Sequence, residues 1–185
     1  MVSADLPRPE APRVIAVVRD FVNTTDHETQ TDELVTPAAL ARYLHAEGLL
    51  PASARATSAD LRLAVELRRG LRSALELNHV AGAASLPVLE QALARLPVQL
   101  GWSGSEVSLV PGATGVRGSL ASIGLAAHQA VADGSWWRLK ICASDECEWA
   151  YFDHSKNRSR NWCEYGCGNK IKTRAYRARR AEQAR

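Results

Sequence analysis

The sequence predicts a mainly α-helical protein with one small β-hairpin, ending in a compact module organised by cysteines. Apolar residues recur at helical spacing through most of the first 134 residues. One short stretch alternates apolar and polar residues around Ser-Gly-Ser, as a hairpin does. All four cysteines of the 185-residue chain lie between Cys142 and Cys167, which separates the C-terminal module from the helical part.

This pattern divides the chain into a flexible leader (1–12), a helical domain (13–134) and the cysteine module (135–185). The leader is polar and proline-rich, without the charged start and apolar core of a signal peptide. No apolar run reaches the roughly 18–20 residues that cross a bilayer. We therefore expect a cytoplasmic protein with no membrane partner, in a compartment where thiols stay reduced.

The helical domain opens with residues 14–18, an apolar run too short for periodicity to distinguish a strand from a buried helix. Asn23 and Thr24 follow it, either as a cap or turn or as part of a loop that contacts a ligand. Residues 25–35 are expected to form a polar connection whose acidic side chains face solvent.

Two helices come next. The first has Thr36 as its cap and Pro37 in its first position, and Gly48 ends it. The second is long and runs from about Ser58 to Gly82. Its apolar stripe consists of Leu61, Val65, Leu71 and Leu75, widened by Leu63 and Leu67.

The polar side of this long helix is rich in arginine. Such arginines usually face solvent or pair with glutamates one turn away. Arg68 and Arg72 lie one turn apart and are the residues best placed to bind the carboxylate or phosphate of a small effector. Together with Asn23 and Thr24 they are the candidate ligand-binding residues.

A shorter helix, the hairpin and a small-residue helix complete this domain. The shorter helix begins at Ser85, and Pro97 ends it. The hairpin pairs residues 98–102 with residues 106–110, and the last helix covers residues 117–132.

No group of residues typical of catalysis occurs along the sequence. The Gly-x-Ser-x-Gly and His-Glu-x-x-His motifs and the dinucleotide signature are absent, and no cysteine outside the C-terminal module offers a nucleophile. We predict that the protein is not an enzyme.

The four cysteines have the spacing of a metal site. They occur as Cys142-x4-Cys147 and Cys163-x3-Cys167, with fifteen residues between the pairs. Two close pairs offer four thiolates to a tetrahedral Zn²⁺ and leave no position for water, so the ion would be structural. Two disulfides, which need an oxidising compartment, and free thiols are the alternatives.

Strands and a helix are expected around these cysteines. Residues 136–141 are predicted to form a strand leading to Cys142, and residues 148–153 a second strand. A basic helix over residues 170–181 follows Cys167, which gives a treble-clef-like layout. Because such a module buries little apolar area, bound metal would supply much of its folding free energy.

Several motifs resemble those of one family. WCEYGCGNK at 162–170, with YFDHS at 151–155 and NRSR at 157–160, resembles the CGNR zinc finger, and DFVNT at 20–24 resembles the start of the ABATE domain that precedes it. The resemblance implies a bacterial, DNA-binding transcription regulator whose helical domain senses a ligand or stress. Lys170 stands where the family has arginine, which keeps the charge but loses the planar, bidentate fork.

Charge divides the chain in nearly the same place. The net charge of +3 combines −5 over residues 1–155 with +8 over residues 156–185. A basic tail on an acidic-to-neutral body is typical of a protein that binds a polyanion. The expected nucleic-acid-binding residues are Lys156, Arg158, Arg160, Asn169, Lys170, Lys172, Arg174, Arg177 and Arg180.

DNA is therefore the expected partner, with a small-molecule effector for the helical domain. Arg174 and Arg177 are the candidates to read guanine, and Asn169 either contacts DNA or caps the helix. DNA-reading heads usually work in pairs, which favours a homodimer. The alternative is a protein-interaction module whose arginines meet an acidic partner in the transcription machinery.

Overall fold

Six α-helices form about half of the part of the chain that the structure describes. The computed structural model describes residues 11–79 and 84–183, so the predicted leader lies almost entirely outside it. With the short 3₁₀ turns included, about half of the described residues are helical, which confirms the mainly α class. The helices are α1 (Arg13–Val22), α2 (Pro37–Ala46), α3 (Ser58–Glu76), α4 (Pro87–Ala94), α5 (Gly115–Ala132) and α6 (Cys167–Gln183). None of them has the length and apolar character of a membrane span.

The sheets of the described residues are three antiparallel hairpins of two strands each. The predicted hairpin is confirmed, and its register runs from Val98↔Pro111 to Ser103↔Glu106 around a turn in which Gly104 has φ +60°. The first hairpin lies where the sequence predicts a polar connection. The sequence does not indicate it, because its short strands carry no apolar alternation. The strands are β1 (Thr25–Asp26), β2 (Thr31–Asp32), β3 (Val98–Ser103), β4 (Glu106–Pro111), β5 (Leu139–Ile141) and β6 (Ala150–Phe152).

The first two helices follow from local sequence chemistry. In α1, Ile15, Val18 and Val22 recur at helical spacing and are fully buried, so the ambiguous apolar run is a helix. Helix α2 begins as predicted, with the Thr36 hydroxyl accepting a hydrogen bond from the Ala39 N–H at 3.1 Å.

Helix α3 differs from its prediction in length and in its buried side. It ends at Glu76, and the predicted end at Gly82 lies outside the described residues. The predicted stripe is displaced because Arg68, which counts as polar in any hydropathy pattern, also faces the core. The buried leucines of α3 are Leu63, Leu67, Leu71 and Leu75, whereas Leu61 and Val65 are only partly buried.

Three later boundaries also need correction. Helix α4 begins at Pro87 rather than at Ser85. Helix α6 begins at Cys167, three residues before the predicted start at Lys170. The strand predicted over 136–141 is shorter, because Trp136–Arg138 forms a turn of 3₁₀-helix before β5 begins.

One hydrophobic core joins the helices to the C-terminal hairpin. Helix α1 packs on α3 and α5, and α4 approaches α3 closely at Gly70, where a Cβ would lie 2.6 Å from the Leu89 Cα. Leu139, Ile141 and Ala150 of β5 and β6 belong to the same core. A smaller cluster surrounds the cysteines, so the cysteine site is built on a hairpin that the helical body holds in place.

Candidate metal centre and nucleic-acid interface

Four buried sulfur atoms converge at the end of the β5–β6 hairpin. The Sγ atoms of all four cysteines lie within 4.8 Å of one another. Cys163 Sγ is 3.6 Å from both Cys147 Sγ and Cys167 Sγ. A tetrahedral metal with metal–sulfur bonds of about 2.3 Å holds its sulfurs about 3.8 Å apart, so this donor set fits such an ion. All four cysteines are free thiols, which argues against the disulfide alternative.

The first cysteine pair sits on a tight turn between β5 and β6. The Cys142 N–H donates to the Trp149 carbonyl at 2.8 Å, which continues the strand pairing up to the ligand. The Cys147 N–H donates to the Ser144 carbonyl at 2.9 Å, and Glu148 adopts a left-handed φ of +47°. This backbone geometry reverses the chain and brings both sulfurs to the same side of the turn.

The second pair spans the start of α6. Gly166 has φ +85°, which glycine adopts without strain, and Cys167 is the first residue of the helix. Asn169 therefore lies inside the first turn, so of its two predicted roles capping is wrong and contact with DNA stays a prediction. Gly168 packs on Trp162, since a Cβ at Gly168 would lie 3.2 Å from the indole ring. The ligands thus fix where the basic helix begins.

Burial makes ionisation of these thiols unfavourable unless a cation is bound. It raises the pKa of the Cys147 thiol to about 12 and raises the pKa of Cys163 as well. Burial also opposes ionisation of Cys142, but backbone N–H groups of Cys163 and Ser144 lower its pKa below the ordinary value. Because neighbouring thiolates repel one another, all four ionise together only around a bound cation. The cluster is a metal-binding site.

A buried ion pair organises the loop between the two cysteine pairs. Lys140 and Asp153 are 3% and 0% exposed, and Lys140 Nζ lies 3.0 Å from Asp153 Oδ2. Lys140 also donates to the carbonyls of Arg158 and Arg160. Burial opposes ionisation of Asp153, but hydrogen bonds, chiefly from Ser155 and Lys140, outweigh burial and lower its pKa. Sequence reasoning missed this pair, since lysine and aspartate normally face solvent.

The loop presents two of its three predicted cations to solvent. Lys156 and Arg158 are exposed. Arg160 is partly buried: its Nε donates to the Trp162 carbonyl at 2.7 Å, and its guanidinium lies 5.6 Å from the centre of the Tyr151 ring. Arg160 therefore stabilises the finger, and its part in nucleic-acid binding stays a prediction.

Helix α6 carries basic side chains on more than one of its sides. From Lys172 onward, every side chain that the structure describes is exposed. On one side Lys170 Nζ lies 3.0 Å from a Glu28 oxygen, and Arg174 makes two hydrogen bonds to the Glu146 carboxylate at 2.9 and 3.2 Å. These predicted nucleic-acid-binding residues thus contact acidic side chains of the same chain.

The other side of α6 carries cations with no ion-pair partner among the described residues. Lys172 and Arg179 lie about half a turn around the helix axis from Lys170. Arg179 was absent from the predicted set, although its position seven residues after Lys172 indicates the shared face. Arg177 and Arg180 are also exposed and without an ion pair in the described ranges, but Arg177, seven residues after Lys170, lies on the side of Lys170 and Arg174.

Two of the four residues predicted to bind a ligand connect the helical body to the finger. The Asn23 amide donates to the Ala150 carbonyl at 2.9 Å, and its oxygen accepts from the Ala150 N–H at 2.8 Å. Arg72 donates to the carbonyl of Glu148, beside the ligand Cys147. Both side chains therefore have structural partners, and ligand binding by them stays a prediction.

The other two ligand candidates hold the β1–β2 hairpin against α3. Arg68 is 5% exposed and donates two hydrogen bonds of 2.7 Å to the Asp32 carboxylate and one of 3.0 Å to the Thr24 hydroxyl. Hydrogen bonding from Arg68 holds the pKa of Asp32 below its ordinary value. Arg68 and Thr24 are thus engaged within the protein.

A cleft of about 520 Å³ lies beside this region. Its lining is rich in carboxylates and aromatic rings, including Glu33, Glu47, Tyr43 and Trp149. Asn23 is the member of the predicted ligand-binding group that lines it. The finger residue Trp149 forms part of the wall of this cleft.

A helical body that carries a treble-clef-like, four-cysteine module with a basic terminal helix defines a zinc-finger protein. Residues 16–134 match the ABATE family model, described as "Putative stress-induced transcription regulator", and residues 138–180 match the CGNR zinc finger. The chain therefore belongs to the ABATE family and ends in a CGNR zinc finger. Comparison with curated proteins gives no match.

Proposed function

We propose that this protein is a DNA-binding transcription regulator in which Zn²⁺ fixes a basic helix for contact with DNA and the helical body senses a small molecule. The observation that carries the proposal is the start of α6 at the metal ligand Cys167, followed by exposed cations along the helix. The metal site and the charged surface are therefore parts of one rigid unit.

The donor set supports zinc as the metal. Four thiolates around one ion are the ligands of structural zinc sites, and harder ions such as Mg²⁺ and Ca²⁺ take oxygen ligands instead. With four protein ligands no coordination position remains for water, so the ion would stabilise the finger rather than take part in catalysis. A backbone hydrogen bond also connects the two cysteine loops: the Asn161 carbonyl accepts from the Ala143 N–H at 2.8 Å.

Helix α6 has the dimensions and charge for the major groove of DNA. Its 17 residues span about 25 Å, and the major groove is about 12 Å wide and admits an α-helix. We propose that the exposed Lys172 and Arg179 contact phosphates, as do the exposed Lys156 and Arg158 of the loop between the cysteine pairs. Arg177 is our candidate for a base-edge contact, because guanidinium groups bind guanine through two hydrogen bonds.

The body and the finger are coupled in a way that suits sensing. Trp149 lies in the wall of the cleft, and its carbonyl accepts the hydrogen bond from the ligand Cys142. A molecule bound in the cleft would contact the residue that pairs with the metal ligand. We propose this route as the link between effector binding and the orientation of α6.

Fluorescence anisotropy of a labelled DNA duplex tests the DNA-binding proposal. We expect affinity for the duplex to fall steeply with salt, because phosphate contacts release counterions. R179A should weaken binding to all sequences and reduce the log–log salt slope by about 1. R69A removes an exposed arginine of α3 and should leave the slope unchanged. A wild-type protein that binds no duplex at low salt would contradict the proposal.

The contacts of Lys170 and Arg174 with carboxylates favour one second candidate. In it, the finger binds an acidic surface of the transcription machinery without contacting DNA. Pull-down with purified transcription proteins separates the two: R174A and R177A would abolish capture while duplex binding stays intact. The DNA proposal predicts that R177A instead weakens duplex binding.

A further inference from the structure

The hairpin β3–β4 presents an apolar face that the described chain leaves uncovered. Cross-strand pairing places its apolar residues together on one side of the two strands. Exposure is high for such residues, at 77% for Trp102 and 74% for Leu100. The paired residues of this apolar face are Val98 with Pro111, Leu100 with Leu109, and Trp102 with Val107.

The opposite side of the hairpin is mostly polar, and its members are Gln99, Gly101, Ser103, Glu106, Ser108 and Val110. Gly101 and Val110 are partly buried, and a Cβ at Gly101 would lie 3.0 Å from the Val110 side chain. An antiparallel sheet on the surface of a protein normally packs its apolar face on the core and leaves its polar face to solvent. Here the apolar side points outward, which is the pattern of a surface that another molecule covers.

We propose that this apolar face is the surface through which two copies of the protein form a symmetric dimer. Its exposed apolar side chains offer on the order of 500 Å². Two copies face to face would bury about 1,000 Å², which reaches the lower range of specific interfaces. The segment 98–111 carries one charged residue, Glu106 at the turn, so little repulsion opposes contact between identical faces and no charge pattern selects an acidic or basic partner.

The sizes of the side chains fit a two-fold arrangement. The Leu100–Leu109 pair lies at the middle of the face, with the large Trp102 toward the turn and the smaller Val98 toward the base. We place the two-fold axis between the two faces, at the central pair and running across the strands. Trp102 of each copy then covers Val98 of the partner subunit. The Trp102 indole N–H donates to the Gly104 carbonyl at 2.9 Å, so the ring is held before association and loses little entropy on contact.

This dimer would carry two zinc fingers. A pair of DNA-reading heads can contact two half-sites of one duplex, as dimeric DNA-binding proteins commonly do. The dimer itself needs no DNA, so its failure and the failure of DNA binding are separate results.

Analytical ultracentrifugation of the reduced, metal-loaded, full-length protein without DNA tests the proposal. We expect wild type to sediment with the mass of two chains at micromolar concentration. L100E places a charge at the centre of the face and should raise the dimer dissociation constant roughly tenfold or more. V35E changes a side chain of similar exposure, 65%, away from the hairpin and should leave the dimer intact.

Two outcomes would overturn the dimer. One is a wild-type protein that stays monomeric across the concentration range, including the case in which its hairpin instead binds a different purified protein. The other is an L100E variant that dimerises as wild type does. Circular dichroism and metal content establish that L100E is folded, and W102S supplies a second, uncharged change at the same face, expected to weaken the dimer in the same direction.

Discussion

At the scale of single residues, Asn23 acts in place of a strand partner. Its amide satisfies both the N–H and the carbonyl of Ala150, which lies in β6 at the edge of a two-stranded sheet. Unpaired backbone groups in a buried position would cost free energy. One side chain from the helical body therefore completes the hydrogen bonding of the hairpin that carries the metal ligands.

Removing this side chain should loosen the finger from the body. We expect N23A to lower the free energy of unfolding by about 2–4 kcal/mol, because two buried backbone groups of Ala150 lose their partner. Chemical denaturation of the metal-loaded protein measures the change. N157A, an exposed asparagine in the loop, should change stability by less than about 0.5 kcal/mol. Equal effects of the two variants would show that the Asn23 contacts contribute little.

Asp32 makes the stability of the β1–β2 hairpin depend on acidic pH. Hydrogen bonding from Arg68 lowers the pKa of Asp32 below its ordinary 3.8, with burial opposing and the Leu34 N–H adding to the shift. A carboxyl group whose pKa falls on folding stabilises the fold above its unfolded pKa, and this contribution disappears as pH falls through the folded value.

We therefore expect D32N to lower the free energy of unfolding most at neutral pH, and the gap to wild type to shrink as pH falls below 3.8. Urea unfolding at stepped pH measures the gap. E106Q changes an exposed carboxyl group and should track wild type at every pH. A gap between D32N and wild type that is constant with pH would rule out the proposed linkage.

The sequence predicts single residues well where spacing alone decides their role. Cys142 and Cys163 were identified because a tetrahedral ion dictates the distance between its ligands. Arg68 and Lys140 were not recognised as buried, because hydropathy treats every arginine and lysine as a surface residue. Their partners Asp32 and Asp153 lie 36 and 13 positions away, and one sequence gives no sign of such pairing.

At the scale of elements, α6 depends on the metal for its first turn. Two of the four ligands lie at or just before its start, and the described side chains beyond Lys172 make no core contact. An isolated helix of this length is marginal in water, because nucleating the first turn is unfavourable. Metal ligation fixes the first turn of α6 and so provides the helix nucleus. The stability of α6 should therefore follow metal occupancy.

Metal removal should therefore unfold the finger before the body. We expect a chelator under reducing conditions to speed amide hydrogen exchange throughout α6, while α1, α3 and α5 stay protected by their shared core. C163S should reproduce this pattern without chelator, because structural zinc contributes on the order of 10 kcal/mol. Hydrogen exchange with mass spectrometry resolves the elements, and S144A, which changes a partly buried side chain of the first cysteine turn but not its backbone, serves as the control. Unchanged protection of α6 would show that the metal does not hold it.

Helices and hairpins with strong local signals were predictable, and their boundaries less so. Thr36 and Gly104 mark a cap and a turn through their own backbone chemistry. The start of α6 was misplaced because its first residue is a metal ligand, and Cys167 carries no capping signal. The β1–β2 hairpin was missed because the Asp32–Arg68 contact with α3, rather than apolar alternation, holds it in place.

At the scale of the whole molecule, the basic helix α6 forms ion pairs with one carboxylate of the finger and one of the helical body. Glu146 of the first cysteine turn binds Arg174, and Glu28 of the β1–β2 loop binds Lys170. Both pairs are exposed, so salt screens them and each is weak by itself. DNA phosphates would compete with these carboxylates for the same cations.

Removing a competing carboxylate should strengthen duplex binding. We expect E146Q to lower the dissociation constant for DNA by roughly twofold to fivefold at low salt, because Arg174 is then free to contact phosphate. Anisotropy titration measures the change. E90Q removes an exposed carboxylate on α4 and matches the net charge of E146Q, so equal gains from both variants would reflect net charge rather than release of Arg174.

If the metal fixes the basic helix for contact with DNA, binding of a duplex depends on the metal. The measurement is an anisotropy titration of a labelled duplex with the full-length, reduced protein at several salt concentrations, before and after chelation. We expect salt-sensitive binding when the metal is present, weakened by about tenfold or more after its removal, because the cations of α6 then lose their fixed arrangement. Equal affinity of the metal-loaded and metal-free proteins would contradict the account.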